Sequence, residues 1–258
     1  MTAVTPSGKD KVLRWARLYI SGYDLSGDAR SFGSLANGIT EVDRTGWDEA
    51  HRNFISDDQR MVGISDLQVI MNDTSGRAYN RLITEANNAL IDLLFGGAGV
   101  PAIGDPAYML RSEQISAVVS LDARLGVMSA NFAADAAQYT AAAYNPFGVI
   151  LQDPATQLTE TTNSNAVAHG AATTAGAWAN LQVTATSSGD YAFKLQDSAN
   201  DSDWSDISGA TFVLDGGTVG AESIETTENT AKYVRLVSTK TAGSCNVLCT
   251  FARQQSVA

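Results

Sequence analysis

Few side chains in this sequence are of a kind that does chemistry. Histidine occurs only at His51 and His169, and cysteine only at Cys245 and Cys249. A Ser-His-Asp or Cys-His relay needs an imidazole held beside a nucleophile and oriented by a third group. His51 falls in the charged run 43–59 and His169 in the small-residue run 166–171, and neither context supplies such partners. The two cysteines are spaced to share one face of a strand about 13 Å apart at ~3.3 Å rise per residue, too far to bond each other. Two cysteines and two histidines in unrelated contexts make no zinc site, which needs about four ligands, so buried thiols in a strand core are expected. Gly96, Gly97, Gly99 and Gly104 lack the G-K-[ST] close of a phosphate loop and are expected to end a helix. Asp201, Asp203 and Asp206 imitate the start of a calcium loop but lack its later Gly and Glu, and so read as a turn. Asp48, Glu49, Asp57 and Asp58 would suggest glycosidase chemistry only in a cleft, and here they lie in a polar arm. No catalytic, cofactor-binding or metal-ligating constellation emerges, and the chain is expected not to be an enzyme.

The elements that must position any function are legible in outline. At 258 residues the chain favours two domains. With 44% apolar and 17% charged residues it has the material for a folded core. The net charge of −11 is spread over both halves, with 12 basic against 17 acidic residues in 1–152 and 5 against 11 beyond, so no basic surface for gripping nucleic acid is hidden by an acidic one. The N-terminus has Lys9, Asp10 and Lys11 where a secretory signal would be apolar, and no apolar run of about 18 residues occurs; cytoplasmic synthesis and no membrane partner are expected.

Alternation of apolar residues predicts strands over 12–20, 60–72, 107–119, 123–132 and 147–151. Tyr79, Leu82, Ile83, Ala86, Leu90, Leu93 and Leu94 recur at helical spacing and predict one helix, about 76–95. The polar run 43–59 predicts a long loop or mobile hairpin arm. A Thr-, Asn- and Pro-rich stretch, 153–165, reads as a linker. Residues 166–258 show only short alternating runs separated by turn residues, the pattern of an immunoglobulin-like β-sandwich. Its core would draw on Trp178, Leu181, Val183, Phe193, Leu195, Trp204, Phe212, Val234, Leu236, Val247 and Phe251. The fold class expected is mainly β with one helix.

Several stretches together resemble one family. The run 15–28 (WARLYISGYDLSGD) is similar to the opening of siphovirus major tail proteins, with Ser21 where an acidic residue is usual. Gly104-Asp105-Pro106-Ala107-Tyr108 resembles that family's lead-in to a core strand, and 145–151 (NPFGVIL) its closing strand. In the second half, 169–184, 194–198, 203–208 and 232–236 resemble, in that order, an outer sandwich of such proteins. The resemblance implies a tail-tube β-sandwich or barrel domain over 1–152 followed by an immunoglobulin-like outer domain. It implies a virion protein that self-assembles into homohexameric rings stacked as a tail tube, with tape-measure, tail-tip and terminator proteins as partners. The genome would pass through an acidic lumen without sticking, and the outer domain would be free to meet host surface glycans. The run 39–59 matches nothing in the family; Trp47, Phe54, Ile55, Asp57 and Asp58 within it are the candidate inter-ring contacts. The alternatives are a capsid or tail decoration protein, and a carbohydrate-binding surface module using Trp178, Trp204 and Tyr191.

Overall fold

The computed structural model describes residues 16–43, 54–84, 89–96, 99–122, 125–134 and 145–254. Among the described residues the fold is mainly β with one short helix, in keeping with the expected mainly-β class. The first half holds β1 (Ala16–Ile20), β2 (Tyr23–Asp24), β3 (Ala29–Ser31), β4 (Ser34–Asp43), β5 (Phe54–Ile70), α1 (Ala78–Thr84), β6 (Ala89–Phe95), β7 (Pro106–Asp122), β8 (Leu125–Ala134) and β9 (Phe147–Gln152). The second holds β10 (Gln157–Leu158), β11 (Thr162–Asn163), β12 (Val167–Ala168), β13 (Ala177–Ser198), β14 (Ser205–Thr211), β15 (Gly220–Thr226) and β16 (Tyr233–Arg253). All the ladders are antiparallel, and one sheet runs through both halves in the order β14-β13-β16-β9-β7-β6-β1-β2.

The expected helix over 76–95 is corrected: α1 ends at Thr84, and Leu90, Leu93 and Leu94 belong to strand β6. The run Ala89-Leu90-Ile91-Asp92-Leu93-Leu94 is buried along its whole length. A strand covered on both faces shows no alternation, so its apolar run fits a helical template equally well. Ile83, expected on the buried face of the helix, is 52% exposed. The short helix is started by Asp28, whose carboxylate accepts from Ala78 N and Asn72 Nδ2 at 3.4 and 3.0 Å.

The sheet curls back on itself. One core combines Leu18, Ile20 and Leu93 of the first half with Trp178, Leu248 and Ala252 of the second. Another core lies on the far face of β13 and β16 and contains Leu181, Phe193, Leu236, Val247 and Phe251. In both strands alternate residues serve the two cores, which explains why every residue of 177–183 is buried. Trp178, expected in the sandwich core, therefore packs toward the first half, and its Nε1 donates to Asn145 O at 3.0 Å.

Two further expectations change. The stretch 153–165, expected as a linker, contributes β10 and β11, each paired to β16. The second half, expected as short runs separated by turn residues, has one long strand over 177–198, since Ser187-Ser188-Gly189-Asp190 is absorbed as bulges in the β13–β16 ladder.

Tyr108 fixes β7 under β4 and β5. Its hydroxyl shares its proton between Ala36 O at 2.7 Å and Gly63 O at 2.9 Å, and accepts from Gly63 N at 3.2 Å. Burial pushes its pKa above the usual tyrosine range. Tyr108→Phe should lower unfolding free energy by about 1–3 kcal/mol in urea titration, because Gly63 N–H is left without an acceptor in a buried setting; no loss would mean that water replaces the hydroxyl.

Candidate assembly surface

Four strands, β4, β5, β8 and β7, form a sheet to one side of the shared core. It is built from two hairpins. β4 pairs with β5 from Ser34↔Ser65 to Asp43↔Phe54, and β7 pairs with β8 from Ser112↔Ala134 to Asp122↔Leu125. They are joined by β5 and β8, from Gly63↔Ala133 to Ile70↔Val127. At that seam a Cβ on Gly63 would lie 2.4 Å from Phe132 O, so only glycine permits the crossing.

Both lateral edges of this sheet are open among the described residues. β4 pairs only with β5, and beyond Ser112 β7 pairs only with β8. An even number of antiparallel strands leaves the two edges running in opposite directions, so β7 of one copy set beside β4 of another continues an antiparallel sheet. Exposed edges of this length invite such pairing. Near the β7 edge Val118 and Val119 are 55% and 43% exposed, on opposite faces of the strand. The four strands carry Glu41, Asp43, Asp57, Asp58, Asp66, Glu113 and Asp122 against Arg60 and Arg111, a strong acidic excess.

Of the candidate contact residues, Trp47 lies outside the described residues, as does the run 44–53 of the expected arm. Phe54, Ile55, Asp57 and Asp58 are in β5, so of the two forms expected for the arm, loop or hairpin, 54–59 takes the hairpin form, paired with β4. Phe54 and Ile55 pair with Asp43 and Val42, past the last β5–β8 pair among the described residues, Gly63↔Ala133. They sit at the far end of the β4–β5 hairpin. Strand character in 54–59 was masked by its run of polar residues, which only cross-strand pairing offsets.

The junction that orients this surface against the second half is a buried polar cluster. Asp92, in the middle of β6, is fully buried. Its Oδ1 accepts from Thr250 Oγ1 at 2.7 Å and Asn180 Nδ2 at 3.1 Å, and its Oδ2 accepts from Gln182 Nε2 at 2.5 Å. Gln182 Oε1 in turn accepts from Gly22 N at 2.7 Å, which ties in the β1–β2 turn. Burial raises the Asp92 pKa to about 6 against the lowering effect of those three bonds. Sequence reading missed this residue; its one signal was an acid set inside an otherwise apolar strand-length run.

Elsewhere the candidate groups do not converge. His169 lies edge-on to Phe251 at 5.2 Å, and burial lowers its pKa to about 4. Cys245 and Cys249 are buried free thiols, as expected from their spacing. Trp178 and Tyr191 are buried, and Trp204, expected in the sandwich core, is half-buried with the Arg235 guanidinium 4.0 Å from its ring centre. The three aromatics therefore form no common platform for a sugar. Asn200 Oδ1 accepts from Ser202 N and Asp203 N, which holds the Asp-rich segment as a turn.

No family model matches the chain, and no curated protein matches it. Among solved structures, the SPP1 Dit (gp 19.1) protein, described as a paradigm of the hub adsorption apparatus in Gram-positive infecting phages, aligns over 92% of this chain and 99% of its own. That alignment has 11% identity and a TM-score of 0.34. The infectious bursal disease virus Gx strain structure aligns over 97% of this chain and 70% of its own, at 10% identity and a TM-score of 0.23. Scores this low do not establish a common fold.

Proposed function

We propose that this chain is the structural subunit of a viral tail tube, assembling through its four-stranded sheet into homohexameric rings that stack into a conduit for a genome. The observation that carries this reading is the pair of open, oppositely directed edges on one sheet. Lateral addition of copies through β4 and β7 satisfies the backbone donors and acceptors that each edge leaves open, and closure of the sheet removes edges altogether. The contact is heterologous, the kind that closes into rings. The acidic excess on these strands suits a lumen past which phosphate slides without adhering. Tape-measure, tail-tip and terminator proteins are the partners such a tube requires, and the virion tail is its location.

The β4–β5 hairpin end is proposed as the ring-to-ring contact, with Trp47, Phe54, Ile55, Asp57 and Asp58 as its residues. Deleting 44–53 and closing the hairpin with a two-residue Asn-Gly turn should leave rings that no longer stack, seen as a single ring-sized species by sedimentation velocity. Tubes of unchanged length would remove the hairpin end from the axial contact.

The test of the main reading is sedimentation velocity of the purified chain at rising concentration. A discrete ring species followed by long polymers supports the tube. Rings that never stack would assign the subunit to a terminal ring of a tail, and a monomer at all concentrations, even with tail-tip proteins added, would favour decoration.

A further inference from the structure

We propose that Asp92 is a proton-operated latch between the two halves of the molecule: neutral, it lets the β6 face seat against β13 and β16, and ionised, it weakens that junction. The inference is independent of the assembly role. Every donor to the carboxylate comes from the opposite face, two from β13 and one from β16. The three donors are uncharged, so the junction buries a net negative charge when Asp92 is ionised. No salt bridge among the described residues reaches it.

The groups around it leave the titration to Asp92. On its own sheet its cross-strand neighbours are Tyr19 of β1 and Met109 of β7, with Arg17 and Arg111 one pair further along the same face. Asp24 of β2 pairs with Tyr19, and Asp153 lies near the Tyr19 hydroxyl, whose pKa is raised chiefly by burial. On β13 and β16 the facing side chains are the amides Asn180 and Gln182 and the hydroxyl Thr250. Cys249 points into the other core, and burial holds its thiol neutral, with the Asp92 charge adding to that. The causes of the Asp92 shift are burial and its hydrogen bonds, with no charged group among them.

The cluster also holds a place for the proton. Asn180 Oδ1 is buried and accepts no hydrogen bond while the amide turns Nδ2 toward Asp92. A neutral carboxyl has one O–H to donate, and rotating the Asn180 amide by half a turn presents that spare acceptor.

The sign follows from linkage. The folded-state pKa of about 6 lies above the ordinary aspartate value of 3.8, so the proton stabilises the fold. That contribution is fully present below about pH 4 and is lost as pH rises through about 6.

The test is the ratio of unfolding constants of wild type and Asp92→Asn, from urea titrations between pH 4 and 8. Asp92→Asn carries a neutral side chain at every pH, so the ratio isolates the carboxyl. Wild type should lose stability relative to the variant as pH rises, by on the order of 100-fold across the window; a flat ratio overturns the proposal. Should Asp92→Asn fail to fold, Thr250→Val replaces it: losing a donor to the ionised form, it should destabilise more at pH 7.5 than at pH 4.5. In wild type, hydrogen-exchange protection of Gly22 N–H, corrected for intrinsic pH dependence, should fall over the same window. Equal destabilisation at both pH values, or unchanged Gly22 protection, also overturns it.

Discussion

A chain carrying Val118→Lys and Val119→Lys should remain a folded monomer at concentrations where the parent forms rings. Both valines lie on β7 beyond its last pairing with β6 among the described residues, and both are substantially exposed, so lysine disturbs little packing within the subunit. Surface changes of this kind shift stability by about ±0.5 kcal/mol each. At a shared edge the two ammonium groups would project on opposite faces of the newly formed sheet, and lysine is the residue with which natural edge strands resist pairing. A penalty of about 1.4 kcal/mol at each contact already weakens it tenfold, and a closed ring repeats that penalty at every interface. The expected result is a melting temperature within a few degrees of the parent and an assembly threshold raised at least ~100-fold. Unchanged assembly would exclude the β7 edge as an interface.

Gly22→Ala should strongly destabilise the molecule at the junction. Gly22 has φ +90°, and a Cβ there would lie 2.7 Å from Gly220 N and 2.8 Å from both Gly220 O and Val183 O. Those are backbone atoms of β13 and β15, which cannot rotate aside. Its N–H donates to Gln182 Oε1, so displacement of the turn also opens the Asp92 cluster. The backbone strain alone costs about 1–2 kcal/mol, and the clash and lost bond should bring the total to roughly 3–4 kcal/mol. For a chain of this size that is a fall of about 6–16 °C in calorimetric melting temperature. Gly104→Ala is the matched control, with φ +91° and nothing within 4 Å of its Cβ. It should cost only the backbone share. Equal losses in the two variants would show that the turn does not bear on the second half.

The junction also limits what truncation can show. A chain ending near Asp153 would lose Trp178, Leu248 and Ala252 from the shared core and every donor to Asp92. Failure of such a fragment to assemble would reflect exposure of that core, so point changes at the edges are the better probe.

Strands β7, β8 and β9 were legible, since they fall on the runs 107–119, 123–132 and 147–151 expected as strands. β6 was misread because burial on both faces erases the two-residue period, leaving an apolar run that a helix explains as well. The long β13 and β16 were read as pieces because bulges keep polar turn residues inside a continuous ladder. Trp178 was assigned to the wrong core because its strand serves two, and alternation says which residues share a face without saying what covers it. The Asp92 cluster joins residues 88 to 158 positions apart, and no local pattern encodes such a partnership. The open edges of β4 and β7 are likewise a property of strand order, invisible until the sheet is assembled.

The most direct test of the central claim is a cryo-electron microscopy reconstruction of the assembled protein at a resolution that separates strands. The expected map shows a closed sheet in which β7 of each subunit is hydrogen-bonded antiparallel to β4 of the next, with residues 166–258 on the outside. A particle held together through the second half, with the β4 and β7 edges still unpaired, would contradict it.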